Sequence, residues 1–306
     1  MSSALRADAP FDVVGFGFNT ADQVCVVDRP PGADGKQRLR AYRHLPGGQV
    51  PTALVALQRW GLRAAYVGPF GDDAGGRAQR VDLQAAGVDL SGCRVQPCAS
   101  QTSVILVDAV SGARTVLWDR PAELPLAAAQ LDRGVLAGGR VLLLDADDVG
   151  TALLAAEWAH AAGSLVVLDV DEPGARTDAL LALTDAAVVS DRFPQRHTGA
   201  ADLRTALRRI TERGPALAAA TLGAGGALAY TAGAFIYTPA FRVPVVDTTS
   251  AGDLFHAGYV YGLLHAWPAA AALRFASAAA ALACGTLGGR SSVPELAAVI
   301  DLAGRP

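Results

Sequence analysis

The sequence is poor in the residues on which several classes of protein depend. Its four cysteines lack CxxC spacing and are too few and too scattered for a disulfide framework, a zinc site or a dithiol redox centre. Lysine occurs once, at Lys36, which follows no glycine-rich loop. A P-loop NTPase and a protein kinase are therefore excluded. Any phosphoryl transfer would have to rely on backbone amides and a metal ion.

An excess of basic charge and a long apolar run are also missing. The 306 residues carry 26 basic and 29 acidic side chains, a net charge of −3, which argues against a nucleic-acid partner. The most apolar stretch, residues 269–282, contains Arg274 and is too short to cross a bilayer. The first ten residues lack the apolar centre of a secretory signal. We therefore expect a cytoplasmic protein without a membrane partner.

What the sequence does contain is a repeated strand–loop–helix pattern. Hydrophobic residues make up 51% of the chain, enough for a large core. Short apolar runs alternate with helix-length segments, which predicts an α/β fold in which a parallel sheet is covered by helices on both faces. The predicted strands are 13–18, 64–67, 141–144, 165–169, 186–189 and 217–222, and the predicted helices are 50–60, 74–86, 152–162, 203–213, 253–266, 269–284 and 294–303.

Two regions interrupt this alternation with short β-prone stretches that have no helix between them. The stretches are 24–27, 38–43, 102–107 and 115–118, and Ser111-Gly112 predicts a hairpin turn between the last two. They predict a small accessory sheet that would act as a lid over the carboxyl edge of the main sheet. No linker divides the chain, so we expect one domain over residues 1–306, with a lid built from about 23–46 and 100–120.

The segment 245–253, Val-Val-Asp-Thr-Thr-Ser-Ala-Gly-Asp, is the most informative stretch. It leads from a strand end through small residues into an amphipathic helix, where the amides of Ser250, Ala251 and Gly252 would face an anion that the helix dipole also favours. The Asp253 carboxylate would then serve as a general base in phosphoryl transfer. An acidic residue that merely stabilises the helix N-terminus fits the same pattern, and the segment alone leaves both interpretations open.

A glycine pattern after the first predicted strand suggests a dinucleotide site only weakly. In the segment 15–20, Gly-Phe-Gly-Phe-Asn-Thr, the third glycine is replaced by Thr20, and the following residues are β-prone where a true fingerprint opens a helix. Asn19 and Asp22 lie near a strand end, where α/β sheets bind ligands. Their polar side chains could hold the hydroxyl groups of a sugar.

Three further segments each allow two interpretations. Residues 46–52 combine glycines with Gln49 and Thr52, which fits either ligand contact or a turn that caps a helix. The turn 221–226 fits either a nucleotide-facing loop or an ordinary hairpin. The acidic stretch 145–148 fits a solvated turn better than a site facing ATP and a metal ion.

Together and in order, these segments resemble the ribokinase-like (PfkB) family of carbohydrate kinases. The Gly47-Gly48 pair, the turn 221–226 and the segment 247–253 match its sugar, nucleotide and catalytic motifs, and the resemblance runs from about residue 13 to residue 294. Ketohexokinase-like members are the most similar, because of segments 22–28, 112–120 and 188–193.

The resemblance implies a three-layer α/β/α fold with a β-lid, a homodimer formed through that lid, and phosphorylation of a sugar hydroxyl by ATP and Mg²⁺. It implies the following roles by position: Asp253 as base; Ser250, Ala251 and Gly252 as the anion hole; Asp22, Gly48, Gln49, Thr52 and Asp253 at the sugar; Thr221, Gly223, Gly226 and Gly252 along the nucleotide; and Asp247, Thr249, Ala283, Thr286, Gly288 and Ser292 around a monovalent cation such as K⁺.

The chain departs from the family pattern at the sugar and magnesium motifs. Gln49 and Thr52 stand where many members have asparagines, which changes the reach and placement of donors. Ser190-Asp-Arg-Phe193 replaces the acidic NxxE element. We expect a kinase for a ketose- or pentose-type sugar. A nucleoside kinase that stacks a base on Phe18, Tyr42 or Trp118, and a catalytically silent sugar-binding protein, are the alternatives.

Overall fold

The computed structural model describes residues 6–146 and 148–304, which form two main sheets with helices around the larger one. The strands are β1 Phe11–Phe16, β2 Thr20–Val27, β3 Ala41–Gly47, β4 Ala64–Val67, β5 Pro69–Gly71, β6 Arg94–Gln96, β7 Thr102–Asp108, β8 Arg114–Asp119, β9 Gly139–Asp145, β10 Leu165–Val170, β11 Ala186–Val189, β12 Leu217–Thr221, β13 Ala227–Thr231 and β14 Ala234–Thr238. The helices are α1 Gln49–Arg59, α2 Ala74–Ala85, α3 Arg133–Leu136, α4 Val149–Ala161, α5 Thr177–Leu181, α6 Phe193–Thr198, α7 Leu203–Thr211, α8 Ala251–Leu264, α9 Ala269–Ala283 and α10 Leu296–Ala303.

The larger sheet has eight strands in the order β14-β13-β12-β11-β10-β9-β1-β4. Six neighbouring strands pair in parallel, in the order β12, β11, β10, β9, β1 and β4. The strands β13 and β14 are added antiparallel at the β12 edge. Because the carboxyl ends of parallel strands lie at the same edge, the loops that follow β1, β9, β10 and β11 meet there.

Alternation along each strand places one apolar set on each face of this sheet. Val141 and Leu143 pack with α1, α8 and α9, whereas Leu142 and Leu144 pack with α4 and its neighbours α3 and α5–α7. All four side chains are buried, as is usual for parallel sheets covered on both faces. The predicted α/β fold with a ribokinase-like layer arrangement is confirmed.

The smaller sheet has the order β3-β2-β7-β8 and a core of its own around Val24, Ile105 and Val107. It corresponds to the predicted accessory sheet, although β2 begins at Thr20 and β3 only at Ala41. The hairpin between β7 and β8 turns at Ser111-Gly112 as predicted, with Gly112 at φ 69°. Since β2 follows β1 with no helix between them, the glycine pattern at 15–20 does not form a dinucleotide fold.

Several short elements were not predicted from the sequence. The strands β5 and β6 have three residues each, and the helices α3, α5 and α6 have four to six. Such lengths are too short for periodicity to show. No helix within the described residues is long and apolar enough to span a membrane.

Candidate active site

The turn before α8 is held in shape by a buried carboxylate. Asp247 Oδ1 accepts hydrogen bonds from the Thr249 amide (2.8 Å) and hydroxyl (2.7 Å), and Oδ2 accepts one from the Gly288 amide (2.9 Å). Ser250 then adopts the left-handed conformation with φ 68°, and α8 begins at the next residue. The turn therefore has a fixed geometry in which the first amides of α8 face outward.

Those first amides are mostly available to a ligand. The first helical hydrogen bond of α8 runs from the Leu254 amide to Ser250 O (2.9 Å), and the Ala251 amide donates to Thr248 O at 3.3 Å. The amides of Ser250, Gly252 and Asp253 have no partner among the described residues. The space where a Gly252 side chain would stand is open. Three unpaired donors at a helix N-terminus form a site suited to an anion.

Asp253 lies on the first turn of α8, half-buried, at the wall of a cavity of about 500 Å³. Burial and the nearby Asp169 carboxylate raise the pKa of Asp253 to about 8, although Arg114 and His256 act in the opposite direction. A carboxyl group in this pKa range can accept a proton near neutral pH. Such a pKa beside unpaired amides favours a catalytic role over simple helix capping.

His256 supports this first turn from beneath. Its Nδ1 lies 2.9 Å from Gly252 O and its Nε2 lies 3.0 Å from Val188 O at the end of β11. The same Nε2 is 3.5 Å from Asp169 Oδ1 on β10. His256 therefore ties α8 to the carboxyl ends of two strands.

The opposite wall of the cavity belongs to the smaller sheet. Asp22 on β2 accepts hydrogen bonds from the Thr20 and Ser103 hydroxyls, and burial raises the pKa of Asp22 to about 6. A Cβ at Gly47 would come within 1.9 Å of Asp22 Oδ2, so only glycine fits there. Gly48 has φ 101°, which also favours glycine. The two glycines thus bring backbone and carboxylate together at the cavity.

Of the predicted sugar-contacting residues, one is displaced from the cavity. Asp22, Gly48, Gln49 and Asp253 all line it, and Gln49 Nε2 donates to Asp171 Oδ2 at 3.0 Å. Thr52 is fully buried inside α1 and is not among the cavity-lining residues. It lies three residues along α1 from Gln49, a rise of about 4.5 Å, because α1 begins at Gln49.

The carboxyl ends of β9 and β10 add acidic residues to the cavity. Asp145 is only 3% exposed and accepts a hydrogen bond from the Phe18 amide (3.1 Å). The expectation of a solvated acidic turn is therefore wrong for Asp145, while Asp147 lies outside the described residues. Asp169 and Asp171 line the cavity too, and sequence reasoning missed both. Their position at a strand end was the signal that could have found them.

Arg114 on β8 connects the smaller sheet to the turn before α8, residues 247–250, which we call the catalytic turn. Its Nη1 donates to Thr248 O at 2.7 Å and to Thr248 Oγ1 at 3.2 Å, and its side chain lines the cavity. The Thr248 amide and hydroxyl each reach Gly112 O at 3.2 Å. The β7–β8 hairpin is thereby fastened to the residues just before Ser250. Sequence reasoning quoted this segment only for its resemblance and gave Arg114 no role.

The predicted nucleotide residues Thr221, Gly223 and Gly226 lie outside this cavity. Gly252 does not line it either, although Ser250 and Asp253 on both sides of it do. Thr221 ends β12, two strands from β10, and its hydroxyl donates to Val189 O at 3.4 Å. Gly223 and Gly226 have φ 54° and 84°, and a Cβ at Gly226 would lie 2.1 Å from Thr238 O. The turn is thus a glycine-dependent hairpin that also borders the carboxyl edge of the sheet.

The predicted cation residues form a connected loop, but several of their oxygens are already engaged. The Thr286 amide donates to Ala283 O (3.3 Å), the Ser292 hydroxyl to Gly289 O (2.6 Å), and the Gly288 carbonyl accepts from Ser291 (2.7 Å). Within the described ranges, no three His, Cys, Asp or Glu side chains cluster as metal ligands. A magnesium ion would fit as it does in other kinases, with one or two cavity carboxylates and the phosphates of ATP.

This site is suited to phosphoryl transfer to an alcohol. It combines a base, an anion-binding helix N-terminus, an arginine and an acidic cavity large enough for a sugar. Comparison with known proteins agrees. The family model for pfkB family carbohydrate kinases matches residues 12–296. An ATP-dependent ribose-1-phosphate kinase from Halopiger xanaduensis is 32% identical over 289 residues, which cover 92% of this chain and 94% of that protein.

One further relative has a similar activity, and one solved structure shows the same fold. A fructokinase from Klebsiella pneumoniae is 32% identical over 284 residues, covering 86% of this chain and 90% of its own. The structure of Arabidopsis thaliana ribokinase complexed with ribose and ATP has the same fold, with a TM-score of 0.80 at 22% identity and coverage of 97% and 99%. The chain belongs to the pfkB family of carbohydrate kinases. It is an ATP-dependent kinase of sugars or nucleosides, so the catalytically silent alternative is set aside.

Proposed function

We propose that this protein transfers the γ-phosphoryl group of ATP to a hydroxyl of a small neutral sugar of the ketose or pentose type. The observation that carries the proposal is Asp253, whose carboxyl faces the cavity while the amides of Gly252 and of Asp253 itself lack partners within the described part of the chain. The carboxylate accepts the hydroxyl proton, and the sugar oxygen attacks the γ-phosphorus in line with the leaving ADP. The amides and Arg114 hold the charge of the migrating phosphoryl group.

The cavity supports a neutral acceptor more than a phosphorylated one. Its lining includes the carboxyl groups of Asp22, Asp145, Asp169, Asp171, Glu172 and Asp253. Arg114 is the one basic side chain among the described residues that line it. Since Arg114 touches the catalytic turn, it serves the phosphoryl group of ATP. A second phosphate, carried by the sugar, would face carboxylates without a cation of its own.

A nucleoside acceptor is the second candidate, and the aromatic residues give it less support. Tyr42 does not line the cavity and packs edge-on against His44, with ring centroids 4.9 Å apart. The Phe18 ring is covered by the Arg120 guanidinium, 4.0 Å from its centroid. Among the described residues that line the cavity, Trp118 is the aromatic side chain that is exposed, and the same Arg120 guanidinium lies 5.4 Å from its ring centroid. One available face is a weaker base site than two stacked aromatic groups.

We extend the proposal to assembly, ions and location. The outer edge strand β8 is exposed at all six residues, including Leu117 and Trp118, which supports a homodimer formed through the smaller sheet. The loop around Asp247, with its carbonyls and hydroxyls, supports binding of a monovalent cation such as K⁺, and ATP with Mg²⁺ is the phosphoryl donor. We place the activity in the cytoplasm.

A panel of acceptors with MgATP and coupled detection of ADP tests the function. Fructose, ribose, sugar acids, ribose 1-phosphate and nucleosides are compared by kcat/KM, each with K⁺ or Na⁺. We expect the highest value with a neutral ketose or pentose. A preference of tenfold or more for ribose 1-phosphate or for a nucleoside would refute the proposed substrate class.

A further inference from the structure

Gln101 is a buried glutamine on the cavity wall whose amide is not used by the protein. It is 7% exposed, and its Oε1 is buried without a hydrogen-bond partner. No hydrogen bond joins its Nε2 to another residue that the structure describes, and Nε2 is not among the fully buried unpartnered atoms. The backbone is satisfied separately, because the Ala21 amide donates to Gln101 O at 2.9 Å. A buried amide without partners costs stability, so its presence at a cavity requires an explanation.

Other buried glutamines in the chain do have structural partners. Gln96 and Gln130 exchange hydrogen bonds through their side-chain amides at 3.2 and 3.1 Å. Gln79 Oε1 accepts from Arg290 at 3.2 Å, while its buried Nε2 has no partner among the described residues. Gln101 therefore differs from these by facing the ligand cavity with both ends of its amide unpaired.

The strand register places Gln101 beside the carboxylate assigned to the sugar. β2 and β7 pair in parallel with Ala21 opposite Thr102 and Asp22 opposite Ser103, so Thr20 lies opposite Gln101. Gln101, Ser103, Thr20 and Asp22 all line the cavity, which puts them on the same face. Gln101 is thus the diagonal neighbour of Asp22, and such neighbours are about 7–8 Å apart, a separation that one sugar ring can bridge.

We propose that Gln101 is a specificity-determining residue that binds a sugar hydroxyl next to the one held by Asp22. An amide offers an acceptor oxygen and an NH₂ donor, and a hydroxyl both donates and accepts, so the two groups complement each other. Asp22 has two hydroxyl donors from the protein and keeps lone pairs for the substrate. Asp22 and Gln101 would thus bind two neighbouring hydroxyls of a neutral sugar. This inference rests on the proposed function.

The variant Gln101→Met tests the proposal because it keeps the length of the side chain and removes its hydrogen bonds. Gln23→Met is the matched control, since Gln23 lies on β2 but does not line the cavity. We expect the KM of the sugar to rise about 10- to 100-fold in Gln101→Met, with kcat and the KM of ATP within twofold of wild type. The control should leave all three constants unchanged.

The Tm of the variant gives a second test. If Gln101 had a structural role, its replacement would lower the Tm. Since Gln101→Met removes an unpaired buried amide, the Tm without ligands should stay equal or rise by about 1–3 °C. Monodeoxy analogues of the accepted sugar identify the hydroxyl that Gln101 binds. For the analogue that lacks this hydroxyl, the KM should exceed that of the parent sugar in the wild type but equal it in Gln101→Met.

The outcomes separate this inference from the proposed function. An unchanged sugar KM, or a lowered Tm with kcat and both KM values shifted together, would overturn the role of Gln101. If the wild-type protein phosphorylates no sugar, the proposed function fails instead. Calorimetric sugar binding to wild type and variant then still decides whether Gln101 contributes.

Discussion

The replacement Asp253→Asn is the most direct test of the site. It preserves the size of the side chain at the mouth of α8 and removes its ability to accept a proton. General-base assistance contributes about 10²–10⁴-fold to turnover, or about 2.7–5.5 kcal/mol of barrier. We expect kcat to fall by at least about 10²-fold, while the affinity for the sugar stays nearly unchanged, since an amide still offers hydrogen bonds.

The pKa of Asp253 predicts the pH profile of the wild-type enzyme. With a pKa of about 8, only about a tenth of the carboxyl groups are ionised at pH 7. The value of kcat/KM, which reports the free enzyme, should therefore rise close to tenfold per pH unit between pH 6 and 7.5 and level off above pH 8. The residual activity of Asp253→Asn should lack this dependence.

Stability should change in a linked way. Because burial raises the pKa of Asp253 above its ordinary value, the stabilisation of the neutral form is present below about pH 4 and is lost as the pH rises to about 8. The Tm of Asp253→Asn should therefore rise relative to that of the wild type as the pH increases from about 4 to about 8. Asp301→Asn, an exposed change on α10, is the control and should alter neither quantity. A near-wild-type rate in Asp253→Asn, or the same pH slope in both proteins, would refute the assignment.

Two further predictions concern the smaller sheet. Arg114→Met removes the cation from the catalytic turn, so kcat/KM for ATP should fall about 10- to 100-fold with little change in sugar affinity. Since Arg114 lowers the pKa of Asp253, the pH profile of this variant should also move to higher pH, and a shift to lower pH would contradict the electrostatic reasoning. Leu117→Asp places a charge on the exposed edge strand, where Leu117 is 58% exposed, and should convert a dimer to a monomer by light scattering. A wild-type protein that is monomeric at tens of micromolar would exclude the homodimer.

The sequence predicted the main sheet and the catalytic turn because both depend on local patterns. The six predicted strands of the large sheet all occur within a few residues of their expected bounds, and α8 begins at Ala251 where residue 253 was expected. Short-range periodicity and small residues at a helix entrance carry this information in the sequence itself.

The parts that were missed depend on contacts between distant segments. Arg114 reaches Thr248 across 134 residues, and neither segment on its own indicates the pairing. Gln101 enters the cavity through the register of β2 and β7, which a sequence does not specify without the turn geometry. Thr52 was placed at the sugar by its position in the family motif, yet the helix that starts at Gln49 carries it into the core.

The contacts of Thr248 link the smaller sheet to the chemistry of Asp253. Thr248 bonds to Gly112 O in the hairpin and to the Arg114 guanidinium, and it stands two residues before the left-handed Ser250. A Cβ at Gly112 would lie 2.6 Å from Val245 Cγ1, so the close approach of the hairpin depends on glycine. Because Arg114 lowers the pKa of Asp253, loss of the Arg114 contact alone would raise that pKa and leave a smaller fraction of the carboxyl ionised at pH 7. The contact between the hairpin and Thr248 therefore holds Arg114 where its charge keeps more of Asp253 in the form that accepts a proton.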